Sequence, residues 1–247
     1  MSKPIGVYDS GIGGYTVLNV LKKRFPQENW LYLQDAQHRP YGSRSQQELV
    51  HLGRRCIDTL QAAGVKACVV ACHTSSALAL RQLESYYDIP LLGMLKPSVR
   101  AICEQPEQPL LWLATRASVL SNQLIKTARK SGFTAEVCPV ICDGWVEKIE
   151  QEYEGEGVQA MIEHTLAPHR KWIARYNPRV FYGCTHYPWL DNSLKQVLGE
   201  DLLYADPAHW VVEDLHSVLE QHSNNAESAT TGKVIKLSSA RCIQAVG

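Results

Sequence analysis

Short apolar runs alternate along the chain with segments whose apolar residues recur every three or four positions. Residues 67–71, Ala-Cys-Val-Val-Ala, are typical of a strand buried in a parallel sheet, and residues 46–63 have the spacing of an amphipathic helix. The other predicted strands are 5–8, 30–33, 90–95, 110–114, 135–140, 180–183, 202–205 and 234–237. The other predicted helices are 15–25, 75–87, 119–131, 143–154, 157–176, 192–198 and 208–221. The polar residues 223–232 predict a mobile loop.

This alternation predicts an α/β fold with mostly parallel sheets, and the order of strands and helices restarts near residue 96. Residues 69–74, Val-Val-Ala-Cys-His-Thr, resemble residues 180–186, Val-Phe-Tyr-Gly-Cys-Thr-His. Each string is a strand that leads into a cysteine and polar groups. We therefore expect two pseudo-symmetric lobes with a cleft between them. The first lobe is predicted to hold residues 1–95 and 206–247, and the second residues 96–205.

Composition and charge exclude some classes of function. The chain has 25 basic and 25 acidic residues, so nothing favours broad electrostatic binding to nucleic acid or to an anionic membrane. No apolar run approaches the roughly 18 residues of a membrane span. Residues 1–8 lack the apolar core of a signal peptide, and we expect a cytoplasmic protein. Its eight cysteines are then expected to be free thiols, because the cytoplasm is reducing.

Polar side chains follow four of the predicted strands. They lie at residues 9–10, 72–74, 115–118 and 184–186. Ligands of parallel α/β sheets bind beyond the carboxyl ends of the strands, so we expect these groups to meet in one cleft. Glycines at positions 11, 13 and 14 let the first turn approach a ligand closely, and the helix that follows offers free N–H groups to a carboxylate. A plain tight turn is the alternative for this segment.

Cys72 and Cys184 occupy matching places in the two halves. A thiol next to a helix N-terminus can have a lowered pKa. Two thiols facing one cleft suit a reaction in which one group removes a proton and the other delivers a proton from the opposite side. Racemisation of an amino acid at its α-carbon is such a reaction. Asp9 is then a candidate partner for Cys72, and His186 is a candidate partner for Cys184.

Two alternatives use the same residues differently. A zinc site could combine Cys72, His73, Cys184 and His186, since thiolate and imidazole are zinc ligands. The spacing is poor for it, because adjacent side chains of an extended segment point apart, and we expect no metal. A non-catalytic protein that binds an acidic ligand is the second alternative. Pure binding needs no pair of thiols, so the pair favours an enzyme.

Four motifs, in order along nearly the whole chain, resemble those of the glutamate racemases in the aspartate/glutamate racemase superfamily. The first is Asp-Ser-Gly-Ile-Gly-Gly at residues 9–14 with Thr-Val-Leu at 16–18. The second is Asp35 with Arg-Pro-Tyr-Gly at 39–42. The third is Val-Val-Ala-Cys-His-Thr-Ser-Ser-Ala at 69–77. The fourth is Gly-Cys-Thr-His-Tyr-Pro at 183–188 with Leu190.

The resemblance implies two α/β lobes with the active site between them, and a reaction that uses no pyridoxal phosphate or other cofactor. It implies that Cys72 and Cys184 are the two acid/bases and that Asp9 and His186 assist them. The substrate-binding residues that it implies are Ser10, Pro40, Tyr41, Gly42, His73, Thr74, Thr115, Ser118 and Thr185. The implied substrate is a small acidic amino acid, and members of the family are commonly homodimers.

Two positions depart from the family's pattern. The family usually has Asn directly after the first cysteine, whereas this chain has His73. The bulkier ring would shorten the pocket and favour aspartate over glutamate, since one methylene is worth about 1–3 kcal/mol of discrimination. The family also often has a Glu shortly after its Cys-Pro motif. Here Cys138-Pro139 is followed by Asp143 and Glu147, neither of which is in register for that role.

The expected function is therefore the interconversion of L- and D-aspartate. The chain as a whole is also similar to the aspartate racemases associated with cyanobacterial microcystin synthesis. The alternative is a glutamate racemase that supplies D-glutamate for peptidoglycan. Isomerases or decarboxylases of the superfamily that act on related acids are less favoured, because of Tyr41-Gly42 and the Cys-Thr-His motif at 184–186.

Overall fold

Two β-sheets organise the computed structural model, which describes residues 3–222, 232–238 and 242–246. The strands within these ranges are β1 Ile5–Asp9, β2 Trp30–Gln34, β3 Ala67–Val70, β4 Leu91–Gly93, β5 Leu110–Ala114, β6 Val137–Ile141, β7 Arg179–Gly183, β8 Tyr204–Ala205, β9 Val234–Ser238 and β10 Cys242–Val246. Both sheets are flanked by helices, as expected of strands that are buried on both faces.

The two sheets repeat one strand order. The first runs β10-β9-β2-β1-β3-β4, with β10 antiparallel to β9 and the other pairs parallel. The second runs β6-β5-β7-β8, and all its pairs are parallel. Strands β3 and β7 therefore hold equivalent places, as do β1 and β5. The predicted α/β fold with two similar lobes is confirmed, and the boundaries at residues 95 and 206 stay a prediction.

Helices cover both sheets, and most of them overlap helices predicted from the sequence. They are α1 Gly14–Arg24, α2 Gln46–Ala62, α3 His73–Leu78, α4 Leu80–Leu83, α5 Leu95–Cys103, α6 Arg116–Ser121, α7 Gln123–Lys130, α8 Trp145–Gln151, α9 Glu156–Leu166, α10 Arg170–Tyr176, α11 Asp191–Leu198 and α12 Val211–His222. Single 3-10 turns lie at Glu84–Tyr86, Ala167–His169, Tyr187–Leu190 and Pro207–His209. Within the described part of the chain, no helix is both long and apolar enough to cross a bilayer.

Local chemistry sets the ends of several helices. At the start of α2, the Ser45 side chain accepts a hydrogen bond from the Glu48 N–H while the Glu48 carboxylate accepts one from the Ser45 N–H, which satisfies two otherwise free donors. At the end of α5, the buried guanidinium of Arg179 donates to the carbonyls of Ala101 and Ile102. This contact ties α5 to β7, the strand that leads into Cys184.

The structure corrects several predicted elements. The predicted helix 119–131 is interrupted at Asn122, which has φ 54° and so leaves the right-handed helical region. The predicted helix 157–176 breaks at a 3-10 turn that contains Pro168, and the predicted helix 75–87 divides into α3, α4 and a 3-10 turn.

Three further differences concern single elements. Helix α5 was not predicted, although its Pro97 lies in the first turn, where proline is tolerated. Strand β10 was not predicted either, and it pairs with the predicted strand β9. The predicted loop at residues 223–232 lies, except for Gly232, outside the described residues.

Candidate active site

Four polar turns meet between the two sheets, each beyond the carboxyl end of a parallel strand. The residues at these turns, at or just after the ends of β1, β3, β5 and β7, are Asp9, Cys72, Thr115 and Cys184. Hydrogen bonds join the turns from one lobe to the other. Thr185 Oγ1 donates to Asp9 Oδ2 over 3.0 Å, and Thr74 Oγ1 lies 3.0 Å from Thr115 Oγ1. The sequence-predicted groups therefore surround one cleft.

Cys72 is a buried thiol at the start of α3. Burial, together with the charge of Asp9, raises its pKa to about 12, although the N–H groups of Thr74 and Ser75 lower it in part. The N–H groups at the start of the helix therefore act in the expected direction, but burial outweighs them, and the pKa of Cys72 is raised rather than lowered. Helix α3 has only six residues, and its N–H groups do not compensate the thiolate for the loss of water.

Cys184 is equally buried but has a different neighbour. Burial raises the pKa of its thiol well above the ordinary value, and the N–H of His186 offsets only part of that effect. The Cys184 Sγ lies 3.7 Å from Nδ1 of His186. A proton that leaves Cys184 therefore has an imidazole nitrogen within reach.

The far side of the His186 ring is held by Glu150, a residue of α8 for which the sequence predicted no role. Its Oε1 lies 2.8 Å from Nε2 of His186 and accepts a 2.7 Å hydrogen bond from the N–H of Ile12. A carboxylate against Nε2 stabilises an imidazolium that takes its proton at Nδ1. Cys184, His186 and Glu150 therefore form a continuous path for a proton.

A signal for Glu150 was present in the sequence. Val146 and Ile149 are buried on α8, and Glu150 follows Val146 by four positions, on the same face of the helix. An acidic residue on an otherwise apolar helix face needs a partner. Asp143 and Glu147, which come sooner after the Cys-Pro motif, are both exposed.

Asp9 is fully buried and close enough to both thiols for its charge to act on each. Burial raises the pKa of its carboxyl above the ordinary value, against the opposing effects of His186, the Gly11 N–H and Thr185. Its oxygens accept hydrogen bonds from the Gly11 N–H and from Thr185, and its charge raises the pKa of both cysteines. Asp9 is therefore placed to act on both thiols rather than on Cys72 alone.

The glycine-rich turn of the first lobe presses against the second lobe. A Cβ on Gly11 would overlap the carboxylate of Glu150, and a Cβ on Gly13 would lie 2.5 Å from Nδ1 of His186. Glycine is needed at both positions because the backbone approaches these side chains so closely. The N–H groups of Gly11 and Ile12, in the turn before α1, donate to Asp9 and Glu150.

On the Cys72 side, a chain of hydroxyl groups crosses the cleft. Thr115 Oγ1 lies 3.0 Å from Thr74 Oγ1 and donates to Ser118 Oγ over 3.0 Å. The carbonyl of Gly42 accepts a hydrogen bond from the N–H of Ala117, and a Cβ on Gly42 would lie 2.8 Å from the Thr115 Cβ. The loop after β2 therefore closes over the hydroxyl chain.

The remaining predicted binding residues differ in whether their side chains reach the cleft. Pro40 lines an open cavity at the mouth of the cleft with Gly42 and Thr115. The ring of Tyr41 is buried in the core, and its hydroxyl donates to Asp35 over 2.6 Å, so this side chain supports the loop from beneath. Ser10 is buried beside Asp9.

His73 is buried directly after Cys72. Burial lowers the pKa of its imidazole to about 3, so the ring is neutral at physiological pH. It lines a small cavity with Ser98, Trp112, Ser118 and other residues of both lobes. His73 therefore borders the cleft on the Cys72 side and belongs to no proton path like that of His186.

The zinc alternative places its four ligands at these same turns. Within the described ranges, no group of three or more His, Cys, Asp or Glu side chains is arranged to hold a metal ion. His186 is instead engaged by Glu150, and His73 faces the cavity that contains Trp112.

The comparison with known proteins agrees with this geometry. Residues 17–215 match the model of the Asp/Glu/hydantoin racemase family. The chain is 34% identical over 236 residues to a glutamate racemase of Clostridium perfringens, covering 94% of this chain and 88% of the relative.

Solved structures give the same result. A glutamate racemase isoform of Bacillus anthracis superposes with a TM-score of 0.84 and 28% identity, covering 96% of this chain and 88% of that one. The glutamate racemase of Francisella tularensis, solved in complex with D-glutamate, superposes with a TM-score of 0.81 and 25% identity over the same shares. This chain belongs to the Asp/Glu/hydantoin racemase family, whose members include amino-acid racemases.

Proposed function

We propose that the protein is a cofactor-independent racemase of an acidic amino acid, in which Cys72 and Cys184 move the α-proton. The observation that carries this proposal is the placement of two buried thiols at equivalent strand ends of the two lobes, with a buried carboxylate near both. One thiolate removes the α-proton, and the thiol on the opposite side supplies its own proton to the carbanion-like centre. After one turnover the two sulfurs have exchanged protonation states.

Both thiols need help, because burial raises the pKa of each. For Cys184, the proton passes to His186, whose positive charge Glu150 then balances. For Cys72, the N–H groups of Thr74 and Ser75 stabilise the thiolate. Preorganised hydroxyl and N–H donors around the substrate carboxylates stabilise the developing negative charge. The residues that line the binding pocket in this proposal are Ser10, Pro40, Gly42, His73, Thr74, Thr115, Ser118 and Thr185. Tyr41 supports the loop beneath them.

Glutamate is the substrate that the comparisons favour. The similar relatives and solved structures above are named glutamate racemases, and one of them was solved with D-glutamate. The expectation of an aspartate preference finds no support among these names. We therefore place glutamate first, although it was the alternative on sequence grounds.

Aspartate is a second candidate because of one specific observation. His73 is a buried, neutral ring beside Cys72 and next to the hydroxyl chain of Thr74, Thr115 and Ser118. A ring at this position takes up room that a longer substrate would need. A difference of one methylene is worth about 1–3 kcal/mol, so a single side chain is enough to change the preference.

The test is exchange of the α-proton in deuterated water with L-glutamate and L-aspartate, side by side and without added metal or cofactor. Faster exchange and racemisation with glutamate establish a glutamate racemase. Faster exchange with aspartate gives the preference to the second candidate. Binding of either acid without exchange would return the protein to the class of non-catalytic binding proteins. A cytoplasmic homodimer stays a prediction, and light scattering checks the dimer.

A further inference from the structure

Arg39 reaches across the cleft from the loop after β2 to the acid–base group of the other lobe. Its Nη1 lies 2.8 Å from Oε2 of Glu150. The guanidinium side chain is 35% exposed, whereas the Glu150 side chain is only 5% exposed. One end of this ion pair is therefore shielded from water, which makes it stronger than a pair on the surface.

The two oxygens of Glu150 have separate tasks. Oε1 is within hydrogen-bond distance of His186 in the second lobe and accepts a hydrogen bond from the Ile12 N–H, whereas Oε2 forms the ion pair with Arg39. A carboxylate held at both oxygens cannot rotate away from the imidazole. Arg39 has no predicted part in the chemistry, yet it is the cation that completes this arrangement from the first lobe.

We propose that Arg39 is a positioning residue for the Cys184 half of the reaction: it keeps Glu150 ionised and aimed at Nε2 of His186 when the lobes are together. The inference rests on the proposed function. The charges balance in each state of the path. Before transfer, Arg39 and Glu150 form a neutral pair beside a neutral imidazole and a thiol. After the Cys184 proton moves to Nδ1, the imidazolium lies between the thiolate and Glu150.

The surroundings of Glu150 show why a cation is useful there. Burial raises the pKa of its carboxyl, but His186, the Ile12 N–H and Arg39 bring it below the ordinary value. The negative charge of Glu150 in turn raises the pKa of Asp9, the other buried carboxyl group of the site. The titratable and charged groups around Glu150 are Arg39, His186, Asp9, Tyr32 and, on its own helix, Glu147.

The fold makes this role testable, because the Cys72 side has no equivalent of Arg39 among the described residues. L and D enantiomers have equal free energies, so any variant must lower kcat/KM by the same factor in both directions. Loss of a group that assists only Cys184 changes kcat and KM by different factors for the two enantiomers. Loss of a group that only stabilises the fold changes kcat and KM by the same factors for both enantiomers.

The experiment compares Arg39→Met and Arg39→Lys with Arg44→Met in the full-length protein. Arg44 lies on the same loop, is 34% exposed and pairs with the surface residue Glu48, so it is a matched control. For Arg39→Met we expect kcat to fall about tenfold for the enantiomer whose proton Cys184 removes, a small part of the 10²–10⁴-fold of general acid–base catalysis. The acid limb of that pH profile should move to higher pH. Arg39→Lys should restore most of the rate, and Arg44→Met should match the wild type.

A second measurement does not depend on turnover. The carboxyl of Glu150, identified in ¹³C spectra by its loss in Glu150→Gln, should titrate at higher pH in Arg39→Met than in the wild type or in Arg44→Met. Equal falls of kcat for both enantiomers, or an unmoved Glu150 titration, would overturn the role of Arg39. If the wild type racemises neither acid, the proposed function fails, and the titration still decides whether Arg39 holds Glu150 ionised.

Discussion

The turns that carry Cys72 and Cys184 have the same place in the fold and different chemistry. Each follows the same strand of its sheet, and each thiol is buried. Cys184 has His186 at 3.7 Å and, behind it, Glu150. Cys72 has the N–H groups of Thr74 and Ser75 and the Ser75 hydroxyl at the start of a short helix. The imidazole next to it, His73, is neutral and lines the cleft without taking a proton from the thiol.

The repeated fold therefore places the two cysteines at equivalent positions, whereas the side chains around each cysteine determine how its thiol is activated. Both lobes have a histidine close after the cysteine, one residue after Cys72 and two residues after Cys184. One extra residue directs the ring of His186 towards the thiol and the other lobe. A symmetric scaffold thus carries two acid–base groups that are activated in different ways.

Replacing either cysteine removes one of the two acid–base groups and has the largest expected effect on activity. Cys72→Ser and Cys184→Ser should each lower racemisation by about 10³-fold or more, because a hydroxyl is a far weaker acid than a thiol. The measurement is the loss of optical rotation from each enantiomer. Cys103→Ser is the control, since this half-buried thiol packs at the end of α5. Full activity in either of the first two variants would end the two-thiol scheme.

Glu150→Gln removes a negative charge that assists the Cys184 turn and not the Cys72 turn. We expect activity to fall by about 10²-fold, because an uncharged amide cannot stabilise the imidazolium of His186. The fall in kcat should be larger for the enantiomer whose proton Cys184 removes. Steady-state kinetics of both enantiomers check this, with Glu152→Gln as the control, since Glu152 is exposed and pairs with Lys148. Equal activity in the two variants would remove Glu150 from the proton path.

Sequence patterns were sufficient for the parts of this site that are local. Apolar runs followed by Cys or Asp located β1, β3 and β7 and the polar turns at their ends, because a buried strand and its turn are encoded by adjacent residues. The match of residues 69–74 to 180–186 also predicted the pseudo-symmetry. Glu150 could not be found in this way, because its role comes from packing α8 of one lobe against the glycine turn of the other.

The thiol pKa values show a second limit of sequence reasoning. The start of α3 predicts a stabilised thiolate at Cys72, and the N–H groups of Thr74 and Ser75 do act in that direction. Burial acts more strongly, and burial depends on how two lobes close around the residue. Breaks such as the one at Asn122 were missed for a simpler reason, since the apolar period continues across them.

His73→Asn tests whether the side chain that follows Cys72 selects between the two substrates. Removing the ring should raise kcat/KM for glutamate relative to aspartate by about tenfold, at the low end of what one methylene is worth. The ratio is measured by competing both acids in one reaction and following deuterium exchange at each α-carbon. His169→Asn serves as the control, because this histidine contacts Cys138 away from the cleft. An unchanged ratio would show that His73 has no part in specificity.

The smallest expected effect is on the free energy of unfolding. It tests whether His73 is buried and uncharged in the folded protein. Burial lowers the pKa of this imidazole to about 3, against about 6.5 in the unfolded chain, so the unfolded state binds the extra proton as the pH falls through 6.5. The contribution of neutral His73 to stability is therefore present above pH 6.5 and is lost progressively between pH 6.5 and pH 3. His73→Asn should remove this loss, which amounts to about 1 kcal/mol between pH 7.5 and pH 6. Urea unfolding of both proteins across this range gives the two curves. Curves that stay parallel would mean that His73 is solvated or partnered, and its contrast with His186 would then disappear.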